Sequence, residues 1–535
     1  MSRQRHRSGN GSGRSRSGRF VLSLMFPIAA CLVPLLACAQ DNPWFVQGRA
    51  AVERARELNP AQMRANNVIL FVGDGMGIST VTAARILEGQ MHGESGEENW
   101  LSFERFPYVA LAKTYNTNQQ TPDSAGTMTA LVTGTKTRAG VLSVDESVAR
   151  GDFAAVEGHR LETIVEQAES RGLSTGLVTT TTVTHATPAA LYGHSPERSW
   201  EADTKLPPEA REAGFPDLAR QLIEFRHGNG MEVVLGGGEQ NFRPKSPTLA
   251  AGRADGRDLT SEWVARAERS AFVRSCDELS ALEPGKTDHL LGLFAASHMR
   301  FEADREKAEP CEPSLSQMTA AALSIVRRNP KGYFLMVEGG RIDHGHHSGN
   351  AYRALTDAVE FSHAVSLAIE KTAGTNTLIV VTADHSHAFV IGGYPTRGND
   401  ILGVVVGNDK TGAPDKPSLD GLGMPYTTLG YLNGPGYLGA TTEQPEGPKH
   451  FPHVATVFSP STEGRPKLTS EITTDPDYLQ EPAVPLFFET HSAEDVAIYA
   501  NGPGASLFHG VQEQNFVYHA MVEALGWNDP AGTPQ

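Results

Sequence analysis

The sequence predicts an α/β fold: a three-layer α/β/α sandwich around a large, mostly parallel sheet, with an inserted loop-rich subdomain. Short apolar, β-branched runs recur at Val68 to Val72, Ser174 to Thr180, Val233 to Leu235, Tyr333 to Val337, Thr377 to Thr382 and Val496 to Tyr499. Between them lie stretches with helical spacing, at Thr80 to Gly89, Leu161 to Arg171, Met318 to Arg328, Tyr352 to Lys371 and Gln512 to Leu525. Apolar strands that alternate with helices imply a sheet covered on both faces. From Gly392 to about Glu481 the text turns to Gly, Pro and Thr with little periodicity, which marks the insertion. In such sheets ligands collect outside the carboxyl ends of the strands, so the residues that follow each run matter most.

Composition narrows the function classes. With 39% hydrophobic and 20% charged residues over 535 positions, the chain can bury a large core and is neither collagen-like nor globally disordered. Its 46 Lys and Arg stand against 62 Asp and Glu, and six of the arginines fall before Phe20. The remaining body is therefore strongly acidic, which argues against a nucleic-acid-binding surface and favours an interest in cations. Any anionic substrate then needs local positive charge.

The basic start, the apolar run Phe20 to Ala37 and the small residues Ala37-Cys38-Ala39 read as an export segment spanning residues 1–39. Pro27 and Pro34 interrupt the run, which disfavours an uncleaved membrane anchor. Two processing routes stay open: cleavage after Ala39, or lipidation of Cys38. Either places the chain outside the cytoplasm, in a periplasm, on a cell surface or secreted. Beyond the leader only Cys276 and Cys311 remain, as one disulfide or as two free thiols.

Polar residues able to bind metal follow several of the runs. Val68 to Val72 leads into Gly73-Asp74-Gly75, where glycines free the backbone for a tight turn around one carboxylate. Tyr333 to Val337 leads into Glu338 and then Asp343, His344, His346 and His347. A helix starting near Asp343 would put that residue and His347 one turn apart on one face, where a carboxylate and an imidazole can share a divalent ion. Thr377 to Thr382 delivers Asp384 and His385, which must lie past the strand end to serve one ion, because strand alternation would separate them. Glu489-Thr490-His491 offers another imidazole before the last strand. Taken singly, each has an ordinary structural reading as a cap, a turn or a satisfied histidine. Together, oxygen and nitrogen donors without thiolates suit zinc plus a harder ion such as magnesium. Thr121-Pro-Asp-Ser124 looks like a helix start, where backbone N–H groups favour an anion and a serine can hold a phosphoryl group. His185 and Thr187 add an imidazole and a hydroxyl, and Arg198 supplies a guanidinium that can fork onto two phosphate oxygens.

These phrases resemble the alkaline phosphatase family, from Phe71-Val-Gly-Asp-Gly-Met-Gly77 through Thr121 to Gly126, Glu338 to His347 and Thr382 to His387, to Glu489-Thr-His491, in the family's order. The resemblance runs from about Asn42 to Gly526 and is nearer to the animal-type branch, because His185 and His344 stand where the enteric bacterial branch has Asp and Lys. It implies two zinc ions and one magnesium per chain. One zinc would be held by Asp343, His347 and His491, the second by Asp74, Asp384 and His385, and the magnesium by Asp74, Glu338 and Thr187, with His185 and His344 close behind. Ser124 would be the nucleophile and Arg198 the phosphate clamp in hydrolysis of phosphate monoesters through a phosphoserine. It also implies one catalytic domain over residues 40–535, a crown over about 394–480, an N-terminal arm over about 44–58 and a homodimer. Animal members carry a calcium site with an acid after Gly-Leu-Phe; here Ala295 follows Gly292-Leu-Phe294, which speaks against that ion although Glu312 is kept.

Overall fold

The computed structural model describes residues 42–58, 64–247 and 249–527; the export segment and Cys38 lie outside them. Ten strands form the main sheet: β1 (Asn67–Gly73), β2 (Tyr108–Lys113), β3 (Ser174–Thr182), β4 (Val233–Gly237), β5 (Ser270–Val273), β6 (His289–Leu293), β7 (Tyr333–Gly339), β8 (Thr377–Ala383), β9 (Val496–Asn501) and β10 (Gly510–Glu513). Their spatial order is β10-β2-β9-β8-β1-β7-β3-β4-β6-β5. All neighbours are parallel except β9, which runs antiparallel to both β8 and β2. Every residue from Val68 to Val72 is fully buried, as a central strand covered on both faces requires. Each such side chain contributes roughly 1.5–3 kcal/mol by leaving water.

Helices form two layers. On one side Ile78–Met91, Leu315–Val326 and Ala351–Thr372 pack together, with Phe361 edge-on to Phe71 at 5.7 Å. Ser124–Thr133, Ile164–Ser170 and Phe516–Ala524 are associated on the other. The six apolar runs are all strands of this sheet. One helical expectation needs correction: Gln512 belongs to β10, and the C-terminal helix starts only at Phe516. The last strand is therefore β10 and not Val496–Asn501. β2, β5, β6 and β10 are short or carry polar and small residues, so their periodicity did not stand out. A small sheet closes the base of the insertion: its strand Leu429–Gly434 pairs with Phe389–Ile391 just before it and with Pro482–Pro485 just after it. Cys276 and Cys311 are joined in a disulfide. In the segment of the calcium expectation, the Ala295 carbonyl accepts the N–H groups of Gly238 and Glu239, and the Glu312 carboxylate accepts the Arg300 N–H at 2.7 Å.

What positions the site is register. Gly73, Gly339 and Ala383 lie side by side at the carboxyl ends of β1, β7 and β8. Asp74, Asp384 and the helix Arg341–His347 therefore emerge together. Far from that end, Glu169 and Glu232 are buried beside the start of β3. Burial pushes Glu169 up to about 8, with repulsion from Glu232 next, and its Oε2 has no hydrogen-bond partner. An acid whose pKa is raised on folding binds more protons when native than when unfolded, so stability falls as pH rises from the unfolded value towards 8. Glu169→Gln is expected to stabilise the chain at pH 9 by about 1–3 kcal/mol and to change little at pH 4. Denaturant unfolding at both pH values checks this; equal effects at the two would sink it.

Candidate active site

Ser124 opens a buried ten-residue helix whose cap is Asp123: the carboxylate accepts the Gly126 N–H at 3.1 Å, and Gly134 at φ 73° ends the helix. The Ser124 hydroxyl lies at the helix head, 3.2 Å from His385 Nε2. The same ring nitrogen is 3.4 Å from Asp74 Oδ1 and 3.4 Å from Asp384 Oδ2. Asp384 is oriented by the Gly75 N–H on Oδ1 at 3.1 Å and the Thr127 hydroxyl on Oδ2 at 3.3 Å. Strand β8 ends at Ala383, so Asp384 and His385 are free to turn to one side, as their adjacency demands.

A second donor group lies alongside. The Asp343 carboxylate reaches His347 Nε2 and His491 Nε2, each at 3.3 Å, and the two imidazole nitrogens are 3.0 Å apart. On their far sides His347 Nδ1 meets the Glu489 carbonyl at 2.5 Å and His491 Nδ1 meets the Pro122 carbonyl at 2.8 Å. Carbonyls only accept, so both Nδ1 atoms carry hydrogen, and both Nε2 atoms face Asp343. His491 arrives through the antiparallel pairing of His491–Ser492 with Ser386–His387. The helix expected near Asp343 runs from Arg341 to His347.

The third group is built on Asp74 and Glu338. Thr187 donates its hydroxyl to Asp74 Oδ2 at 3.2 Å, and Thr179 donates to Glu338 Oε2. Asp74 Oδ1 and Glu338 Oε1 are sealed from solvent with no hydrogen-bond partner. His185 lies within reach of both carboxylates. Asp74 is pushed well up by burial and then by Asp384, Asp343 and Glu338, while burial takes Glu338 up to about 8. Asp343 is the exception: burial opposes its charge, yet His347, His387 and His491 hold it well below the usual range. Buried carboxylates crowded in this way stay ionised together only with cations among them.

Arg198 brings positive charge to the helix head. Its Nη1 pairs with Asp123 at 3.2 Å, and its Nη2 is 3.2 Å from His185 Nε2. Burial opposes its charge, but Asp123 and Asp74 more than restore it. All twelve sequence-predicted site residues except His344 fall into these contacts. His344 stands one step back, taking Arg341 Nη1 on Nδ1 at 2.7 Å, with its ring near His185 and His298. The residues that sequence reasoning missed are partners of the donors. His387 is clamped between Asp343 at 2.8 Å and Glu489. Burial works against its protonation, yet the Glu489 and Asp343 carboxylates push it up to about 10. Its signal was available: His387 and Glu489 each stand two positions from a named histidine, His385 and His491.

Residues 65–527 match the alkaline phosphatase family as a whole. The human tissue-nonspecific alkaline phosphatase isozyme is 42% identical over 517 residues, 94% of this chain and 92% of that protein. Alkaline phosphatase of Gadus morhua is 43% identical over 472 residues, 86% of this chain and 92% of the relative. Among solved structures, alkaline phosphatase of Thermus thermophilus superposes with a TM-score of 0.61 at 26% identity, covering 87% of this chain and 92% of that one. The enzyme of the Antarctic bacterium TAB5 shares the fold, with a TM-score of 0.56 at 21% identity over 87% of this chain and 100% of its own. Among the described residues no helix is long and apolar enough to cross a membrane. The match of family and fold over nearly the whole described chain, together with the buried carboxylates and imidazoles around Ser124, places this chain in the alkaline phosphatase family of phosphoric monoester hydrolases.

Proposed function

We propose that the chain hydrolyses phosphate monoesters through a phosphoserine on Ser124, at a centre of two zinc ions and one magnesium ion. The observation that carries this reading is the position of the Ser124 hydroxyl, at a buried helix head and 3.2 Å from His385 Nε2 beside two carboxylates. The unpartnered atoms Asp74 Oδ1 and Glu338 Oε1 and the inward Nε2 atoms of His347 and His491 fit cations chemically: hard oxygens on one side, imidazole and carboxylate on the other. Asp343, His347 and His491 would hold one zinc, Asp74, Asp384 and His385 the other, and Asp74, Glu338 and Thr187 the magnesium. Bound there, the ions would act as Lewis acids that favour ionised oxygen and neutralise charge on the transferred group.

The chain's own residues divide the remaining work. Arg198 grips two phosphoryl oxygens while Asp123 and His185 fix its plane, so the guanidinium is already oriented when substrate enters. The free N–H groups at the helix head add a further anion contact. Ser124 gives its hydroxyl proton up to solvent as Oγ attacks phosphorus, the bond to the substrate alcohol breaks, and that alcohol leaves with a proton from solvent. Water then attacks the phosphoserine, the P–Oγ bond breaks and phosphate departs, returning the serine. His387 would hold Asp343 ionised towards its metal, and Glu489 would hold His387.

The rest of the chain is read the same way. Residues 40–535 would form one catalytic domain, delivered by the leader 1–39 to the periplasm or cell surface, or lipidated at Cys38. The segment 394–480 would be the crown and 44–58 the arm of a homodimer. Helix Pro43–Leu58 packs Phe45 against His519 of its own chain at 4.8 Å. Val390, Tyr394, Leu432 and Val484 are exposed apolar residues on and around the crown sheet, which suits a partner subunit there. Light scattering of the mature chain is expected to give twice the monomer mass.

The test of the reaction is turnover of a chromogenic phosphate monoester beside the matching diester and sulfate ester, with chelator and after restoring zinc and magnesium. Metal-dependent monoester turnover far above the other two is expected. No monoester turnover at full metal loading would overturn the reading.

A further inference from the structure

Behind His344 the structure has a feature the reaction does not use. A cleft of about 360 Å³ opens between the segment Arg300–Lys307, the start of helix Arg341–His347 and the loops carrying Phe451 and Asp477. Four cations, Arg300, Lys307, Arg341 and Arg353, line it against two carboxylates, Asp304 and Asp477. Both carboxylates are already taken. Arg353 binds Asp304 at 2.7 Å and Asp477 at 2.8 Å, and Lys307 binds Asp304 at 2.7 Å.

Arg300 and Arg341 are left over. Among the described residues no carboxylate comes within ion-pairing distance of either guanidinium. Arg341 spends Nη1 on His344 Nδ1, and its Nε is sealed from water without a partner. The Arg341 guanidinium lies 3.8 Å over the Phe301 ring. A guanidinium held by an imidazole and a ring, with no carboxylate paired to it, keeps its positive charge available to an anion. The aromatic walls point the same way. Phe301 and Phe451 meet edge to face at 5.8 Å, and Arg353 covers Phe451 at 4.0 Å. With a guanidinium on a face of each ring, the aromatic walls hold two of the cleft's positive charges in place.

We propose that this cleft between Arg300 and Arg341 is a second anion site, taking a phosphoryl group. A tetrahedral oxyanion in the cleft can engage Arg341 through Nη2, which is not spent on His344, and Arg300 from the facing segment. The volume leaves room for either free phosphate or the phosphoryl end of an organic molecule. None of the residues lining the cleft belongs to the Ser124 donor set, and the His344 ring stands between the two, with Nδ1 on Arg341 and Nε2 3.9 Å from Asp343.

The experiment is calorimetric titration of the full, metal-loaded enzyme with inorganic phosphate and, separately, with phenylphosphonate, which offers an organic phosphoryl group that is not hydrolysed. Two sites per chain are expected for at least one of these anions. Arg300→Glu should weaken the second site at least about tenfold while leaving monoester turnover and melting temperature unchanged, and Arg300→Ala should do so to a smaller extent. Phosphate filling the second site more tightly identifies the free ion as ligand, and phosphonate filling it more tightly identifies an organic phosphate. A single site per chain for both anions, or a second site untouched by Arg300→Glu, overturns the proposal. Failure of the reaction reading would appear elsewhere, as absent turnover with the Arg300-dependent site intact.

Discussion

Ser124→Ala is expected to lower kcat/KM for a phosphate monoester by at least roughly a thousandfold, to abolish the phosphoenzyme and to leave metal content unchanged. The reasoning is local. Ser124 touches His385 Nε2 but supplies none of the buried oxygens left without a partner. The helix head, Asp123 and Arg198 do not depend on its hydroxyl, so phosphate should still bind. The measurement is acid-quenched incubation with labelled substrate, followed by counting label on protein, beside metal analysis. Label on the variant, or turnover equal to the parent, would remove Ser124 as the nucleophile.

His491→Ala should behave in the opposite way, losing metal and activity together. His491 Nε2 shares Asp343 with His347, and its Nδ1 is fixed by the Pro122 carbonyl. Removing one of three donors should weaken that metal by more than the roughly 10–100-fold typical of outer-shell partners. It also releases Pro122, two residues before Ser124, so excess zinc should restore occupancy before it restores full rate. Chelation of the parent enzyme should reproduce the loss, and zinc with magnesium should reverse it. A His491→Ala enzyme that retains full zinc and full rate would contradict the assignment.

The two variants also separate what could be read from sequence from what could not. The central strands were legible because Val68 to Val72 and Thr377 to Thr382 are short, mostly apolar and rich in β-branched residues, as strands covered on both faces are. The edge strands β5 and β10 were not, since Ser270–Val273 and Gly510–Glu513 carry too little apolar pattern to separate them from loops. The donors were legible for a related reason: Asp74, Asp384 and the helix after Glu338 follow the apolar runs, and parallel register brings strand ends together. His491 lies on no such run. Its place depends on a two-residue pairing with Ser386–His387 that no local pattern announces. The clamp of His387 by Asp343 and Glu489 was hidden for the same reason. Its members come from three segments, and only the fold brings them into contact.

That short pairing also sets when the centre can exist. Asp74 stands near the start of the described chain and His491 near its end, so no nascent chain shorter than about that length holds the full donor set. The sheet's middle, β1 with β7 and β8, can close as soon as Ala383 is available, and it creates the cluster of buried carboxylates before the second imidazole group is complete. A ribosome-bound or truncated chain would therefore pass through a stage that is acidic, partly assembled and a poor competitor for zinc. On the proposed reading, metal capture would be coupled to the arrival of the final segment, and loading would act as a late proofreading step: a chain that ends early or misplaces its C-terminus would reveal itself by failing to hold its ions.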